Sequence, residues 1–434
     1  MISKIKSFFE SDDKKKLLEN FFSLSFLQIV NYILPLLTLP YLVRVLGSEY
    51  FGVLSFATSI VTIFKIITDY GFNLTATREI SIHRENAKKV SEIFNAVLII
   101  KILLTFLNLI FLTILVFSFD KFTEHQSIYF LTFGTIIGQV LFPVWFFQGL
   151  ENMKYVTILN TIGKIIFTVL IFIFIKEKEE FYFVPIINSL GFLVTGILSL
   201  VIIRKKFNIQ FEIPPFSRII HYLKDGWYVF ISNLANGFYS NSTIFLLGFF
   251  TNNSIVGYYS AGERLIKVIQ NMLNPFFQTI YPYFAKKGTE ASKNTLKSMK
   301  KILIVLGGFT LVISLFVFIF ADLIVFTIFG DEFVDSIIIV KIMSILPFTY
   351  ALTNIFGTQI MLNFGRQKQY GRIFIIATIL NLILSFILIP LFKGVGTAIT
   401  SLTTEVFFIV VMFVYIQNTG LKIIEFSKVK TLTQ

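Results

Sequence analysis

No cysteine occurs in the 434 residues, which excludes disulfides, thiolate metal sites and thiol nucleophiles. Histidine is nearly as scarce. His83, His125 and His221 stand in separate polar stretches, so no histidine metal cluster or proton relay is expected. Charged residues make up 15% of the chain, against about 25% in an ordinary soluble protein. The G-x-x-x-x-G-K-[ST] pattern of a phosphate-cradling loop does not occur, so the chain is not itself an ATPase. No short apolar core with a small-residue cleavage site follows the charged, amphipathic "MISKIKSFFESDDKKKLLEN", and no cleavable signal peptide is expected. The extracytoplasmic connections between apolar runs are short, which removes the usual place for a membrane polymerase or glycosyltransferase site. Enzyme activity, a cofactor and a bound metal are therefore not expected.

What is abundant is apolar. Hydrophobic residues are 55% of the chain, phenylalanine alone occurs 54 times, and the mean hydropathy is +0.78. The formal charge of +13 resembles that of a nucleic-acid binder, but the basic residues lie in short loops between apolar runs rather than on a folded polar surface, which excludes nucleic acid as partner. The lipid bilayer is the expected surrounding. A membrane-crossing helix needs about 20 mostly apolar residues, and that rule places helices near 17–43, 51–72, 90–119, 128–147, 156–175 and 181–203. Six more follow near 227–250, 255–284, 299–320, 337–362, 373–391 and 395–416. Alternate connections carry very different charge: 27 of the 38 Lys and Arg fall on one side, five on the other and six within helices. By the positive-inside rule both termini are cytoplasmic. The expectation is an all-α polytopic membrane protein with twelve transmembrane helices.

The stretch 204–226, "RKKFNIQFEIPPFSRIIHYLKDG", is the longest polar cytoplasmic connection and resembles a domain junction. It suggests two six-helix lobes, 1–210 and 211–434. Placing residue 52 on residue 257 aligns Gly52 with Gly257, Ser55 with Ser260 and Asn31 with Asn236. An even number of helices per repeat implies parallel halves.

Polar residues inside the apolar runs are the candidate site. The second span carries Thr58, Thr62, Lys65 and Asp69 at helical spacing, and the eighth carries Glu263, Lys267, Gln270 and Asn274 with Arg264 alongside. Lys65 with Asp69 and Glu263 with Lys267 form i,i+4 pairs of opposite charge, whereas Arg264 has no acidic residue three or four positions away. Gln28 and Asn31 in the first span, and Asn233, Asn236 and Asn241 in the seventh, add carboxamides. Two readings stay open: interhelical hydrogen bonding, or the lining of a water-filled substrate path, the default for ionisable groups within a membrane. Arg44 sits at the outer end of the first span, where it snorkels or meets a ligand. Lys101 and Lys164 read as structural or near head groups, and Glu405 as an interhelical partner or proton site. Asp69, Glu263 and Glu405 are the candidates for ion coupling. Trp145 and Trp227 read as members of an interfacial aromatic belt.

The segment "LPYLVRVLGSEYFGVLSFATSIVTIFKIITDYGFNLTATREIS" (39–81) resembles the first helical hairpin of the Wzx-type polysaccharide-repeat-unit (O-antigen or capsule) flippases of the multidrug/oligosaccharidyl-lipid/polysaccharide exporter superfamily. Further similarities are "VWFFQGLENMKY" (144–155), "GYYSAGERLIKVIQNMLNPFFQTIYP" (257–282), "GTQIMLNFGRQKQY" (357–370) and "KGVGTAITSLTTE" (393–405). The resemblance implies two six-helix bundles around a central cavity, and alternating access. It also implies a multi-pass protein of the bacterial inner membrane, carrying undecaprenyl-diphosphate-linked oligosaccharide from the cytoplasmic to the outer leaflet. A glycan polymerase and a chain-length regulator are the protein partners it suggests. Arg44, Lys65, Asp69, Arg78 and Arg264 occupy positions in the similar segments. A guanidinium's fork favours Arg264 as the diphosphate anchor, with Lys65 and Lys267 as point charges; Asn31, Asn236 and Asn274 suit sugar hydroxyls. The alternatives are a multidrug or cation antiporter of the same superfamily, disfavoured by the basic cavity, and a membrane glycan polymerase, disfavoured by the short outer loops.

Overall fold

Helices follow the apolar runs. A computed structural model of the protein describes residues 12–287 and 293–419, and every regular element among these is helical. The N- and C-terminal residues used in the orientation argument lie largely outside the described residues. All twelve sequence ranges are helical with short interruptions. By length and composition, eight helical stretches among the described residues can cross a membrane. The ranges 227–250 and 255–284 fall outside the eight, because their asparagines and charges lower the hydropathy that such a test reads. Within the former, Asn241–Phe250 remains as a shorter apolar helix.

One of the eight, Phe26–Ile82, has 57 residues and another, Gln367–Asn418, has 52. A straight helix of either length would reach about 80 Å, far beyond a hydrocarbon core about 30 Å thick. Each breaks instead. Gly47 (φ 70°, ψ 179°) divides Asp12–Asp69 into α1 (12–46) and α2 (48–69). The chain then returns toward its start: Asn20 donates from Nδ2 to the Glu151 carbonyl at 3.0 Å, and Arg84, just past α3 (Phe72–Ile82), pairs with the Glu151 carboxylate at 3.2 Å.

Contacts divide the chain into two compact units, Met1–Gly257 and Tyr258–Gln434. The first contains α4 (Ala87–Ser118), α5 (Gln126–Val140), α6 (Val144–Gly149), α7 (Met153–Phe174), α8 (Phe183–Lys206) and α9 (Phe216–Phe250). This boundary lies beyond the 204–226 stretch because α9 packs along α2. Small residues permit the closest packing. A Cβ on Gly138 would lie 2.5 Å from the Phe192 backbone and one on Gly196 would lie 2.7 Å from the Gly138 carbonyl oxygen, so α5 and α8 touch nearly backbone to backbone. Ser189 and Ser199 of α8 donate across this seam to the Leu131 and Leu141 carbonyls at 2.7 and 3.0 Å. Trp145, expected in an interfacial belt, is instead buried beside Phe94 and Phe146.

The helix α10 (Asn253–Met272) begins in the first unit and continues into the second, followed by α11 (Asn274–Lys287), α12 (Lys293–Ile319), α13 (Ala321–Ile328), α14 (Ser336–Met343) and α15 (Leu346–Thr353). A π-helical segment, Asn354–Leu362, follows α15. Buried Gln359 in this segment donates to the Phe277 carbonyl at 3.2 Å and to Asn354 Oδ1 at 3.3 Å. Lys393 then divides the final stretch into α16 (367–392) and α17 (394–418). Asn381 Nδ2 donates to Thr404 Oγ1 at 3.2 Å, joining the two halves across their turn. Phe277, Phe356, Phe408 and Met412 belong to the apolar core of this unit.

Lys393 holds φ 53°, ψ −128°, a conformation costly for a side-chain-bearing residue, and its side chain is exposed. Lys393→Gly is expected to stabilise the purified protein by about 1 kcal/mol, read as a higher thermal midpoint. A lower midpoint would show that the lysine side chain itself holds the turn.

Candidate functional site

The face of α9 facing α2 is built from asparagine. Asn233, Asn236 and Asn241 recur at spacings that return to one side of a helix, and with Gly237, Ile66, Asp69 and Asn73 they line a cavity of about 330 Å³. Gly237 lets the Ile66 side chain approach α9: a Cβ on it would lie 2.1 Å from Ile66 Cδ1, so a larger residue there would force Ile66 into another rotamer. Asn73 comes from α3, and it reaches the cavity because Tyr70 (φ 47°) and Gly71 (φ 82°) turn the chain sharply between α2 and α3. The Tyr70 ring stacks on Phe230 of α9 with centroids 4.5 Å apart and 10° between planes, which fixes that elbow.

Asp69 is the charged wall of the cavity. Its Oδ1 accepts Lys101 Nζ of α4 at 2.7 Å, and the Lys101 side chain is only 4% exposed. Seven residues along α4, Asn108 donates from Nδ2 to the Phe64 carbonyl at 2.9 Å and to Thr68 Oγ1 at 2.8 Å. One face of α4 therefore stitches to α2 twice. Lys65, expected to pair with Asp69, is half-buried and lies within Coulombic reach of both Asp69 and Lys101. Among the described residues the ion pair of Asp69 is with Lys101. This partner was not visible in the sequence, where the two residues stand 32 positions apart.

The other expected site residues are distributed as follows. Asp69 and Asn236 share the asparagine cavity. Asn31 does not line it; its Oδ1 accepts Lys164 Nζ of α7 instead. Arg44 is exposed three residues before the Gly47 break. In the second unit Glu263 and Lys267 form the expected i,i+4 pair at 2.9 Å, with Glu263 buried and Lys267 exposed. Arg264 is half-buried. Asn274 Oδ1 accepts the Tyr350 hydroxyl at 2.6 Å, and Gln270 donates to the Leu346 carbonyl at 3.2 Å. Polar groups of α10 and α11 thus tie those helices to α15. Glu405 of α17 accepts the Thr353 hydroxyl at 2.9 Å. Among the described residues, no cluster of three or more His, Cys, Asp or Glu could hold a metal ion.

Chemically, the α2–α9 cavity offers several carboxamides, each able to accept and to donate, beside a neutralised carboxylate. Such a wall matches a ligand rich in hydroxyl groups.

The chain is similar to known proteins along most of its length. The polysaccharide biosynthesis protein family matches residues 17–287. A protein of Escherichia coli (strain K12) described as "Putative O-antigen transporter" is 34% identical over 416 residues, covering 94% of this chain and 99% of the relative. Among solved structures, the lipid II flippase MurJ in an inward closed conformation superposes with a TM-score of 0.64 at 13% identity, covering 92% of this chain and 87% of that one. An inward-facing multidrug resistance MATE family transporter gives 0.68 at 12% identity, covering 89% and 95%. The two solved structures share the fold, that of multi-pass membrane transporters. The chain belongs to the polysaccharide biosynthesis protein family, alongside relatives described as O-antigen transporters.

Proposed function

We propose that the protein is a flippase for lipid-linked glycan, moving undecaprenyl-diphosphate-linked oligosaccharide repeat units from the cytoplasmic to the outer leaflet of the bacterial inner membrane by alternating access. The observation that carries this reading is the cavity walled by Asn73, Asn233, Asn236 and Asn241 with the Asp69–Lys101 pair. Sugars and a diphosphate cannot enter hydrocarbon without replacing their hydrogen bonds to water, and carboxamides supply such replacements. Arg264 and Lys267 of the second unit are the proposed phosphate contacts, with Lys65 and Arg44 as additional cations in the first. Twelve crossings, cytoplasmic termini and lobes 1–210 and 211–434 are part of the same proposal, as is a role in transport without enzymatic turnover. A glycan polymerase and a chain-length regulator are its proposed protein partners.

The test is complementation of surface glycan in a strain lacking its own flippase. Asn233→Leu combined with Asn236→Leu removes two carboxamides from the cavity without changing charge. Each lost hydrogen bond is worth about 1 kcal/mol, so at least a tenfold fall in flipping is expected at unchanged protein level in the membrane fraction. Undiminished surface glycan would remove the cavity from the transport path. Resistance to cationic dyes, gained with no effect on glycan, would point to the antiporter reading instead.

A further inference from the structure

A second cavity lies within the first unit, away from the asparagine wall. It has a volume of about 220 Å³ and is bounded by α1, α7 and α8. Its polar lining consists of Thr38 from α1, Asn160, Lys164 and Thr168 from α7, and Asn188 and Thr195 from α8. Lys164 is the one charged residue among the described residues lining it. Its ammonium donates to the neutral Asn31 oxygen.

The geometry points to an anion-binding site at Lys164. Three observations combine. First, the ammonium is held at the cavity wall by a carboxamide, and the lining contains no carboxylate to balance its charge; a cation buried in a membrane protein ordinarily pairs with an anion or faces water. Second, the Thr168 side chain is 9% exposed and its Oγ1 is a buried hydroxyl with no hydrogen-bond partner among the described residues. That group can donate to a guest. Third, glycine brings the cavity walls together: a Cβ on Gly163 would stand 2.8 Å from Thr195 Cγ2 and 3.3 Å from the Gly191 carbonyl oxygen, so α7 and α8 pack closely and hold Lys164, Thr168, Asn188 and Thr195 around one small volume.

The remaining polar groups set the class of anion. Thr38 and Thr195 donate to the Leu34 and Phe192 carbonyls of their own helices, and Asn160 gives one amide hydrogen to the Val156 carbonyl. The donors left for a guest are the ammonium, the Thr168 hydroxyl and the Asn160 and Asn188 amides. This is a small set with a single positive charge. It suits a monovalent anion, either a halide or a carboxylate, rather than a diphosphate. The site is thus distinct from the proposed cargo contacts, and the inference does not depend on the flippase reading.

The test uses purified full-length protein in lipid nanodiscs, with thermal unfolding followed by intrinsic fluorescence. Sodium isethionate is replaced at constant ionic strength by sodium chloride, sodium bromide or sodium acetate. A saturable rise of the midpoint with halide, acetate or both is expected; halide alone identifies an inorganic ion, and acetate identifies a carboxylate such as that of an acidic sugar. Asn31→Asp places a tethered carboxylate beside the ammonium, so this variant is expected to fold and to lose the response. Thr168→Val, which keeps the charge, is expected to weaken the apparent affinity at least threefold. No rise with any anion, or an equal rise in wild type, Asn31→Asp and Lys164→Met, would overturn the site.

Discussion

Lys101→Met is expected to destabilise the protein by about 1.5–3 kcal/mol, the worth of a hydrogen bond to a charged group, because it leaves the Asp69 carboxylate, 24% exposed at the cavity wall, without the buried ammonium that meets it at 2.7 Å. The measured quantities are the thermal midpoint of the purified protein and its yield as a monodisperse peak. Asp69→Asn in the same chain removes the stranded charge, and the double variant is expected to recover most of the loss. That sign pattern separates a buried ion pair from two residues that merely fill space. Lys65→Met serves as the contrast, with an expected cost under about 1 kcal/mol, since that side chain is half-buried and interacts with Asp69 only at longer range. Equal losses for Lys65→Met and Lys101→Met would refute the assignment of Asp69 to Lys101. The double variant also bears on function. If the pair only supports α2, Asp69→Asn/Lys101→Met will still export glycan; if cargo contacts Asp69, export will fall although stability has returned.

The second large effect is expected where two stretches of backbone meet. A Cβ on Gly52 of α2 would lie 1.8 Å from the Asn253 carbonyl oxygen, and one on Gly257 of α10 would lie 1.9 Å from the Ser48 carbonyl oxygen. The contact is reciprocal: each glycine meets a carbonyl four residues before the other. The same offset relates Gly52 to Gly257 and Ser48 to Asn253, which is the offset of the internal repeat. No rotamer change relieves a clash with main chain, so Gly52→Ala and Gly257→Ala are each expected to cost about 3 kcal/mol, at the upper end for overpacking. Together they should cost clearly less than the sum, because one displacement of α2 from the start of α10 makes room for both methyl groups. Fully additive losses would sink the reciprocal contact. Gly308→Ala is the control: a Cβ there meets nothing within 4 Å, and in a helix interior the change is expected to gain roughly 0.5–1 kcal/mol.

Much of this arrangement is legible from residues close in sequence. The helices follow runs of apolar residues, the Glu263–Lys267 pair forms at its helical spacing, and Asp69 with Asn236 reaches a common cavity. What sequence could not supply is the partner from another helix. Helical spacing offers Lys65 to Asp69, yet Lys101 wins because α4 carries it to the carboxylate in a buried setting where a close pair is worth most. Asn31 and Lys164 meet across 133 positions, and no local pattern announces it. The i,i+7 spacing of Lys101 and Asn108 was the one available hint that a single face of α4 is spent on α2. The repeat marks Gly52 and Gly257 as equivalent positions, but not that each admits the other helix's backbone, and the α5–α8 glycines carry no sequence signal of their packing.

The breaks at Gly47 and Lys393 constrain how the helices they join can move. Each joins two apolar helices through a single non-helical residue, a link only about 3.5 Å long when extended. So short a link holds the end of one helix beside the start of the next, and the paired helices cannot slide or tilt far without straining the turn. For α16 and α17 the Asn381–Thr404 hydrogen bond pins the same pair further along. Each pair therefore acts as one lever, and a flexible insert at the turn is the change that separates its two arms.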